Sequence, residues 1–165
     1  DRFVIKATQD SSGAMVVRNR QTFDKNSVIR HYRPIMNRNW YWPYREWAYK
    51  NIKPRIIVDK FLDDHSGHEL RDYKFWCFDG KVRFVMFLSE RQRHLRMNNY
   101  DLDWNLLPFT YNFPNSTHII PKPEKLQEMI HIAEKLSEGF PHVRVDLYHL
   151  NDGTIKFGEM TFPSA

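Results

Sequence analysis

The chain is poor in cysteine and has no long apolar run. Its single cysteine, Cys77, cannot form an internal disulfide, and no metal-ligand spacing surrounds it. We interpret Cys77 as a buried structural thiol, compatible with a cytoplasmic location. No apolar stretch approaches the roughly 20 residues that a membrane span requires, and no signal peptide is visible. The sequence therefore argues against a disulfide scaffold and predicts no transmembrane segment.

Several signatures of enzyme chemistry are also missing. None of the eight histidines lies in HExxH or another metal-binding spacing, and neither GxSxG nor the GxxxxGK[ST] phosphate loop occurs. The net charge of +5 favours an anionic partner, such as nucleotide phosphates, an acidic glycan or an anionic membrane surface. Because the basic residues are spread along the chain, a nucleic-acid-binding arm is not indicated.

What is present predicts an α+β protein of one domain or two small lobes. The 165 residues are 41% hydrophobic, which is enough for a core. Periodicity and turn residues predict hairpins at 3–20, 72–88 and 144–162, a strand at 55–62, helices at 25–36 and 123–138, and an irregular segment at 89–120. Asp79-Gly80 is a favoured turn dipeptide for the middle hairpin. Helices and strands do not alternate regularly along the chain, and most neighbouring strands are predicted to be antiparallel. This order favours an α+β fold over a doubly wound sheet.

Two carboxylates lie in apolar strands of the last hairpin. Asp146 belongs to RVDLY and Glu159 to TIKFGEMTF, with an Asn-Asp-Gly turn between the two strands. Buried carboxylates are costly unless they are paired or bound to metal, and oxygen ligands suit Mg²⁺ or Mn²⁺. The pattern points to metal–nucleotide chemistry, while the alternative is that both residues are ordinary strand positions facing solvent.

Two lysines and an arginine-rich segment are further candidates. Lys6 ends a strand just before a Ser/Gly turn and could contact a phosphate, although most such lysines are simply solvated. Lys74 shares a strand face with Asp72, so it is either a second phosphate contact or one half of a surface ion pair. Segment 89–118 is interpreted as a mobile lid that recognises an anionic substrate. Its arginines are Arg91, Arg93 and Arg96, and the alternative is that its aromatic residues only cap the core.

In this order, the strings along the chain resemble the TupA-like ATP-grasp family of cell-surface polysaccharide biosynthesis. The similar strings are FVIK at 3–6, IKPRIIVDKFL at 52–62, DYKFWCFDGK at 72–81, NNYDLDWN at 98–105, IPKPEKLQEMIHIAEKLSEGFPHVRVDLYHL at 120–150 and FGEMTF at 157–162. The run from Ile120 is the most specific of them. The resemblance implies two small α+β lobes, 1–56 and 57–165, with antiparallel sheets and ATP between them.

The resemblance also implies roles for individual residues. By position, the nucleotide-binding set comprises a phosphate lysine, a phosphate-covering turn and an adenine-reading hinge: Lys6, Ser11, Ser12, Gly13, Ile57, Val58, Asp59 and Phe61. Arg144 corresponds to an arginine that stabilises the transferring phosphoryl group. Lys74 is the second candidate catalytic residue, on the separate ground that its charge could contact a phosphate or acyl phosphate. The magnesium ligands would be Asp146, Glu159 and Thr161; asparagine is common in the family where Thr161 stands.

The implied activity is ATP- and Mg²⁺-dependent ligation of a carboxylate, activated as an acyl phosphate, to an amine. Two alternatives stay open: a kinase that phosphorylates a sugar hydroxyl, and a non-catalytic glycan- or polyanion-binding module on the same fold. The partners would be a nucleotide and a small-molecule or glycan substrate, with association with polysaccharide machinery as an option. The chain has no initiator methionine and starts at the first ATP-binding strand, so we expect a fragment that lacks the family's preceding domain.

Overall fold

The computed structural model describes residues 1–11, 13–63, 70–90 and 94–162, which fold as two compact units, Asp1–Phe61 and Leu62–Ala165. The sequence-based boundary lay after residue 56, whereas the structure includes the strand at Ile56–Lys60 in the first unit, where it pairs with the first strand. None of the helices described in these ranges is long and apolar enough to cross a membrane.

The first unit is a three-stranded antiparallel sheet with a helix against it. Its strands, in spatial order β2-β1-β3, and its helices are β1 (Phe3–Ala7), β2 (Met15–Val17), β3 (Ile56–Lys60), α1 (Lys25–Met36) and α2 (Tyr41–Tyr44). The Asp24 side chain caps α1 by accepting hydrogen bonds from the backbone N–H groups of Asn26 and Ser27. A small core joins sheet and helix through Ile5, Ala7, Val17, Tyr32 and Ile35.

The second unit is a five-stranded antiparallel sheet, in spatial order β6-β5-β4-β7-β8, with one helix. Its elements are β4 (Asp72–Phe78), β5 (Lys81–Ser89), β6 (Arg96–Tyr100), α3 (Leu126–Ser137), β7 (His142–His149) and β8 (Ile155–Thr161). The predicted turn at Asp79-Gly80 is confirmed: both residues have positive φ, 49° and 71°, as a tight hairpin turn requires.

Alternation along the strands gives this sheet two different faces. The core against α3 contains Tyr73, Phe75 and Cys77 of β4 and Val143, Val145 and Leu147 of β7. Since successive side chains point to opposite faces, Asp72, Lys74, Arg144 and Asp146 lie on the other face. The interpretation of Cys77 as a buried thiol is confirmed, because it is fully buried and burial raises its pKa.

The predicted irregular segment contains a strand. Segment 89–120 was expected to be irregular, but Arg96–Tyr100 forms β6 and pairs with β5 as an edge strand of the sheet. Asn98 and Asn99 disfavour strands by local propensity. The burial of Met97 and Tyr100, at 6% and 5% exposure, offsets that preference.

Candidate functional site

The site-bearing face of the second unit carries a row of charged residues on three neighbouring strands. The Cα atom of Asp146 on β7 pairs with Lys74 on β4 and with Glu159 on β8. Directly paired residues of antiparallel strands project to the same side of the sheet. The sequence-based expectation that Asp146 and Glu159 lie on adjacent antiparallel strands is therefore confirmed.

Arg144 joins the two carboxylates. Its Nε donates to Asp146 Oδ1 at 2.7 Å, and its Nη2 donates to Asp146 Oδ2 at 2.9 Å and to Glu159 Oε1 at 2.9 Å. The same Nη2 donates to Thr161 Oγ1 at 3.0 Å, and that hydroxyl donates to Glu159 Oε1 at 3.0 Å. This bidentate fork holds Asp146 rigidly, while the Glu159 side chain stays 55% exposed.

Lys74 approaches Asp146 from the opposite strand. Its ammonium donates to Asp146 Oδ2 and lies 2.9 Å from Asp72 Oδ2. The side chains of Lys74, Asp72 and Asp146 are 11%, 5% and 2% exposed. The alternative of a Lys74–Asp72 pair on a solvent-exposed face is wrong, because the pair is buried. Asp72 is the site residue that sequence reasoning underrated; its spacing from Lys74 was visible, but the pairing of β4 with β7 was not.

Burial and charge act in opposite directions on the protonation of this cluster. Burial raises the pKa of the Asp146 carboxyl, against the opposing effects of the Arg144 hydrogen bond and the Lys74 charge. For Arg144, burial acts to lower the pKa, but the hydrogen bond and charge of Asp146 outweigh it and the pKa lies above its usual value. Arg144 is thus fixed as a cation beside the carboxylates.

The donor set fits a hard divalent cation in its chemistry. Three carboxylates, of Asp72, Asp146 and Glu159, oppose the two cations Lys74 and Arg144, which leaves one formal negative charge. Mg²⁺ is commonly bound by one or two carboxylates plus substrate phosphates rather than by an all-protein cage. Among the residues the structure describes, no group of three or more histidine, cysteine, aspartate or glutamate side chains that could hold a metal ion is found.

In the first unit, Lys6 lies in β1 and forms a surface ion pair. Its Nζ is 2.7 Å from Asp59 Oδ2, and both side chains are 47% exposed. The Cα atom of Lys6 pairs with Ile57, so Asp59 is its diagonal neighbour on β3. The structure therefore brings together two residues of the predicted nucleotide-binding set, with an ammonium group open to solvent.

The predicted phosphate-covering turn is held by helix α1. Ser11 is exposed, Ser12 lies outside the described residues, and Gly13 has a φ of 78°, which a glycine adopts without strain. The carbonyl oxygen of Gly13 accepts a 2.8 Å hydrogen bond from the Tyr32 hydroxyl. A Cβ at position 13 would lie 2.9 Å from Ile35 Cδ1, so space and backbone conformation both select glycine.

The predicted hinge residues belong to an edge strand. β3 pairs with β1 on one side only within the described part of the chain, so its outer edge can offer backbone N–H and C=O groups. Ile57 and Val58 are 40% and 63% exposed. Phe61 follows β3, and the Arg2 guanidinium lies 4.6 Å from its ring centroid.

The arginines of the predicted lid separate into two groups. Arg91 and Arg93 lie outside the described residues. Arg96 begins β6, is half-buried, and donates from Nη1 to the Asn115 carbonyl at 3.5 Å. The segment is therefore not irregular throughout, because Arg96–Tyr100 forms β6, while a mobile lid and a substrate-binding role of Arg96 stay predictions.

Comparison with solved structures shows the fold. The chain is similar to an ATP-grasp ligase, PsnB, complexed with a phosphomimetic variant of its minimal precursor, Mg and ADP, at 10% identity and a TM-score of 0.51, covering 99% of this chain and 38% of that one. It is similar to D-alanine–D-alanine ligase from Bacillus anthracis complexed with ATP, at 14% identity and a TM-score of 0.51, covering 98% and 41%. The chain thus spans about two fifths of the length of these structures.

Sequence comparison shows the family. No curated protein matches the chain. The model of the TupA-like ATP-grasp family matches residues 1–165. The predicted ATP-grasp α+β fold is confirmed by these matches and by the two antiparallel sheets, and the chain belongs to the TupA-like ATP-grasp family.

Proposed function

We propose that this chain is the nucleotide-handling part of an ATP- and Mg²⁺-dependent ligase that joins a carboxylate to an amine. The observation that carries the proposal is that Arg144 donates hydrogen bonds to both Asp146 and Glu159, while Lys74 donates to Asp146 from the neighbouring strand. Phosphoryl transfer needs positioning and charge neutralisation more than covalent help from the protein. The group of two cations and three carboxylates would provide the positioning, and its single net negative charge would favour the Mg²⁺ that neutralises the phosphates.

Asp146 and Glu159, with Thr161 beside them, would hold Mg²⁺ through their oxygens. The ion would neutralise phosphate charge when bound. Arg144 would keep Asp146 oriented and present its guanidinium to the phosphoryl group. Lys74, fixed by Asp72 and Asp146, would place a second positive charge on this face.

The reaction we propose has two transfers. A substrate carboxylate oxygen attacks the γ-phosphorus of ATP, the bond to the β-phosphate oxygen breaks, and acyl phosphate and ADP form. The amine then attacks the acyl carbon, the C–O bond to phosphate breaks, and the amide and phosphate leave after the nitrogen loses a proton. In the first unit, Lys6, the Ser11–Gly13 turn and the β3 edge would bind the phosphates and adenine.

The cellular setting belongs to the same proposal. Family membership supports a role in cell-surface polysaccharide biosynthesis, with a cytoplasmic protein that uses a nucleotide and a glycan or small-molecule substrate. The solved relatives are ligases by name, one with Mg and ADP and one with ATP. At 10% and 14% identity, the similarity to these structures supports the fold alone. The reaction is inferred from the charged residues on this chain.

The experiment compares Glu159→Gln with Glu128→Gln. Both glutamates are surface residues, at 55% and 56% side-chain exposure, and each pairs with one basic side chain. Titration calorimetry with ATP, with and without Mg²⁺, should show that the parent chain and Glu128→Gln gain affinity from Mg²⁺. Glu159→Gln should lose that gain while retaining its unfolding midpoint.

Product analysis separates the reaction classes. A ligase yields ADP, phosphate and an amide, whereas a sugar kinase yields ADP and a phosphoester. A binding module on the same fold shows no Mg²⁺-dependent ATP turnover. Equal dependence of ATP affinity on Mg²⁺ in Glu159→Gln and Glu128→Gln would refute the metal assignment.

A further inference from the structure

The segment 38–55, between α1 and β3, exposes large aromatic side chains that the site does not use. Trp42, Tyr44 and Trp47 are 65%, 59% and 67% exposed. Single exposed apolar residues are ordinary, but a contiguous group on one surface indicates a binding partner. Trp42 and Trp47 lie close together because both rings contact Tyr41. The Tyr44 ring stacks on that of Trp40, with the ring centroids 4.1 Å apart.

The group is held together by its own contacts. The rings of Trp42 and Trp47 lie 5.2 and 5.5 Å from that of Tyr41, which is buried and anchors them. The Lys50 ammonium lies 4.1 Å from the Trp47 ring centroid, and the Arg45 guanidinium lies 5.8 Å from that of Trp42. We call these exposed residues, Trp42, Tyr44, Arg45, Trp47 and Lys50, the aromatic–basic patch.

The charge of the surrounding segment is strongly one-sided. Residues 38–55 contain five lysines and arginines and one acidic residue, a net charge of +4, against +5 for the whole chain. The acidic residue, Glu46, is half-buried and accepts a 2.8 Å hydrogen bond from Trp40 Nε1. The charge that faces solvent here is therefore almost entirely positive.

We propose that the aromatic–basic patch docks on the surface of an anionic lipid bilayer. Tryptophan and tyrosine are the side chains enriched at the membrane–water interface, because their rings are apolar and their tips are polar. Lysine and arginine beside them meet anionic headgroups, and each contributes favourably near such a surface. Aromatic rings with cations interleaved match the chemistry of a surface that lies on a membrane.

The composition of the patch favours lipid over other partners. A sugar-binding platform pairs its rings with carboxylate and amide groups that accept hydrogen bonds from hydroxyls. Here the one carboxylate of the segment accepts from Trp40, and the Asn39 side-chain oxygen accepts from the Tyr41 backbone N–H at 2.9 Å. The remaining charged groups are donors without acceptor capacity, which suits phosphate and carboxylate headgroups.

The test is co-sedimentation of the chain with vesicles of phosphatidylcholine alone and of phosphatidylcholine mixed with phosphatidylserine. The parent should bind the anionic vesicles, and the binding should weaken as salt rises. Arg45→Asn with Lys50→Gln should reduce binding about 30-fold, at about 1 kcal/mol per cation removed. Asparagine is chosen at position 45 because Arg45 has a φ of 59°, which asparagine tolerates.

Trp42→Ala with Trp47→Ala should also abolish most of the binding. Both rings are exposed, so the unfolding midpoint should change little. The matched control is Lys25→Gln with Lys135→Gln, which removes two exposed lysines elsewhere and should bind nearly as the parent does.

Three outcomes would overturn the proposal. The first is no sedimentation with anionic vesicles. The second is an equal loss in the control, which would indicate net charge rather than the patch. The third is that the patch variants bind soluble acidic oligosaccharides more weakly than the parent does, but bind anionic vesicles as the parent does. This result would identify the patch as a glycan site.

Discussion

Each unit holds a lysine–aspartate pair between neighbouring strands, and the two pairs differ mainly in burial. Lys74 and Asp146 are directly opposed on β4 and β7, with side chains 11% and 2% exposed. Lys6 and Asp59 are diagonal neighbours on β1 and β3, both 47% exposed. The same two chemical groups are therefore placed in surroundings of very different polarity.

Burial decides what each pair contributes. A buried charge that loses its partner is left without water, so removing one partner of a buried pair is strongly destabilising. An exposed pair is solvated and screened, and it adds little to folding. The second unit's pair is therefore tied to the stability of its sheet. In the first unit, the Lys6 ammonium can release Asp59 and bind a ligand instead at a low cost in free energy.

The largest expected effect is on the stability of Asp146→Ala. This change leaves Arg144 and Lys74 as buried cations facing each other with one acceptor fewer, and we expect a loss of about 3–5 kcal/mol in the free energy of unfolding. Asp59→Ala is the matched control and should cost about 0–1 kcal/mol. Urea denaturation of both variants measures the difference. Similar losses in the two variants would mean that burial is not what separates the pairs.

Lys6→Ala should weaken ATP binding more than it lowers stability. The loss of an exposed ammonium should leave stability nearly unchanged, yet cost about 1.5–3 kcal/mol of ATP affinity because a charged partner of the phosphates is gone. Lys25→Ala, which removes another exposed lysine of the same unit, should bind ATP as the parent does. Calorimetric titration with ATP decides this, and parent-like affinity in Lys6→Ala would remove Lys6 from the site.

The sequence was informative where local signals and the final contacts agree. Asp79-Gly80 predicted its hairpin because positive φ at both positions is a local requirement. Asp146 and Glu159 could be placed on adjacent strands because a short turn joins the two strands. Their direct opposition depends on a register shift next to Asp146, since Leu147 pairs with Phe157 but Asp146 pairs with Glu159. The neighbouring strands of the two carboxylates were therefore predictable from one segment of sequence, whereas their exact pairing was not.

The parts that were missed depend on pairing between distant segments. Lys74 and Asp146 are 72 residues apart, and no local sequence pattern predicts that β4 pairs with β7. The burial of Asp72 follows from that same pairing. Likewise β6 has weak strand propensity, and only the presence of β5 as a partner makes Arg96–Tyr100 a strand.

A smaller effect is expected in the first unit for Tyr32→Phe. The Tyr32 hydroxyl lies 2.6 Å from the Ile5 carbonyl oxygen and 2.8 Å from that of Gly13, so it links β1 to the predicted phosphate-covering turn. Removing it should cost about 0.5–1.5 kcal/mol of stability. Amide hydrogen exchange should accelerate around Gly13 and remain unchanged in β7. Uniform acceleration in both units would indicate a global effect.

The smallest effect concerns Asp101, which contrasts with Asp146 within the second unit. Burial raises the pKa of Asp146, whereas hydrogen bonds, above all from Asn105, lower the pKa of Asp101. The Asp101 carboxylate accepts from the backbone N–H groups of Asp103 and Asn105 at 3.0 and 2.7 Å and from Asn105 Nδ2 at 2.9 Å. These bonds hold the turn in which Trp104 adopts a φ of 75°.

The sign of the resulting pH dependence follows from the lowered pKa. A carboxyl with a lower pKa in the folded than in the unfolded state adds stability above its unfolded pKa of about 3.9 and loses it as pH falls through the folded value. Asp101→Asn should therefore be slightly less stable than the parent at neutral pH, and the difference should shrink on acidification. Asp103→Asn alters an exposed carboxylate of the same turn and is the control for the loss of one negative charge there. Urea denaturation across this pH range measures both, and a gap for Asp101→Asn that widens in acid would contradict the assignment of Asp101 as the carboxylate that holds the turn.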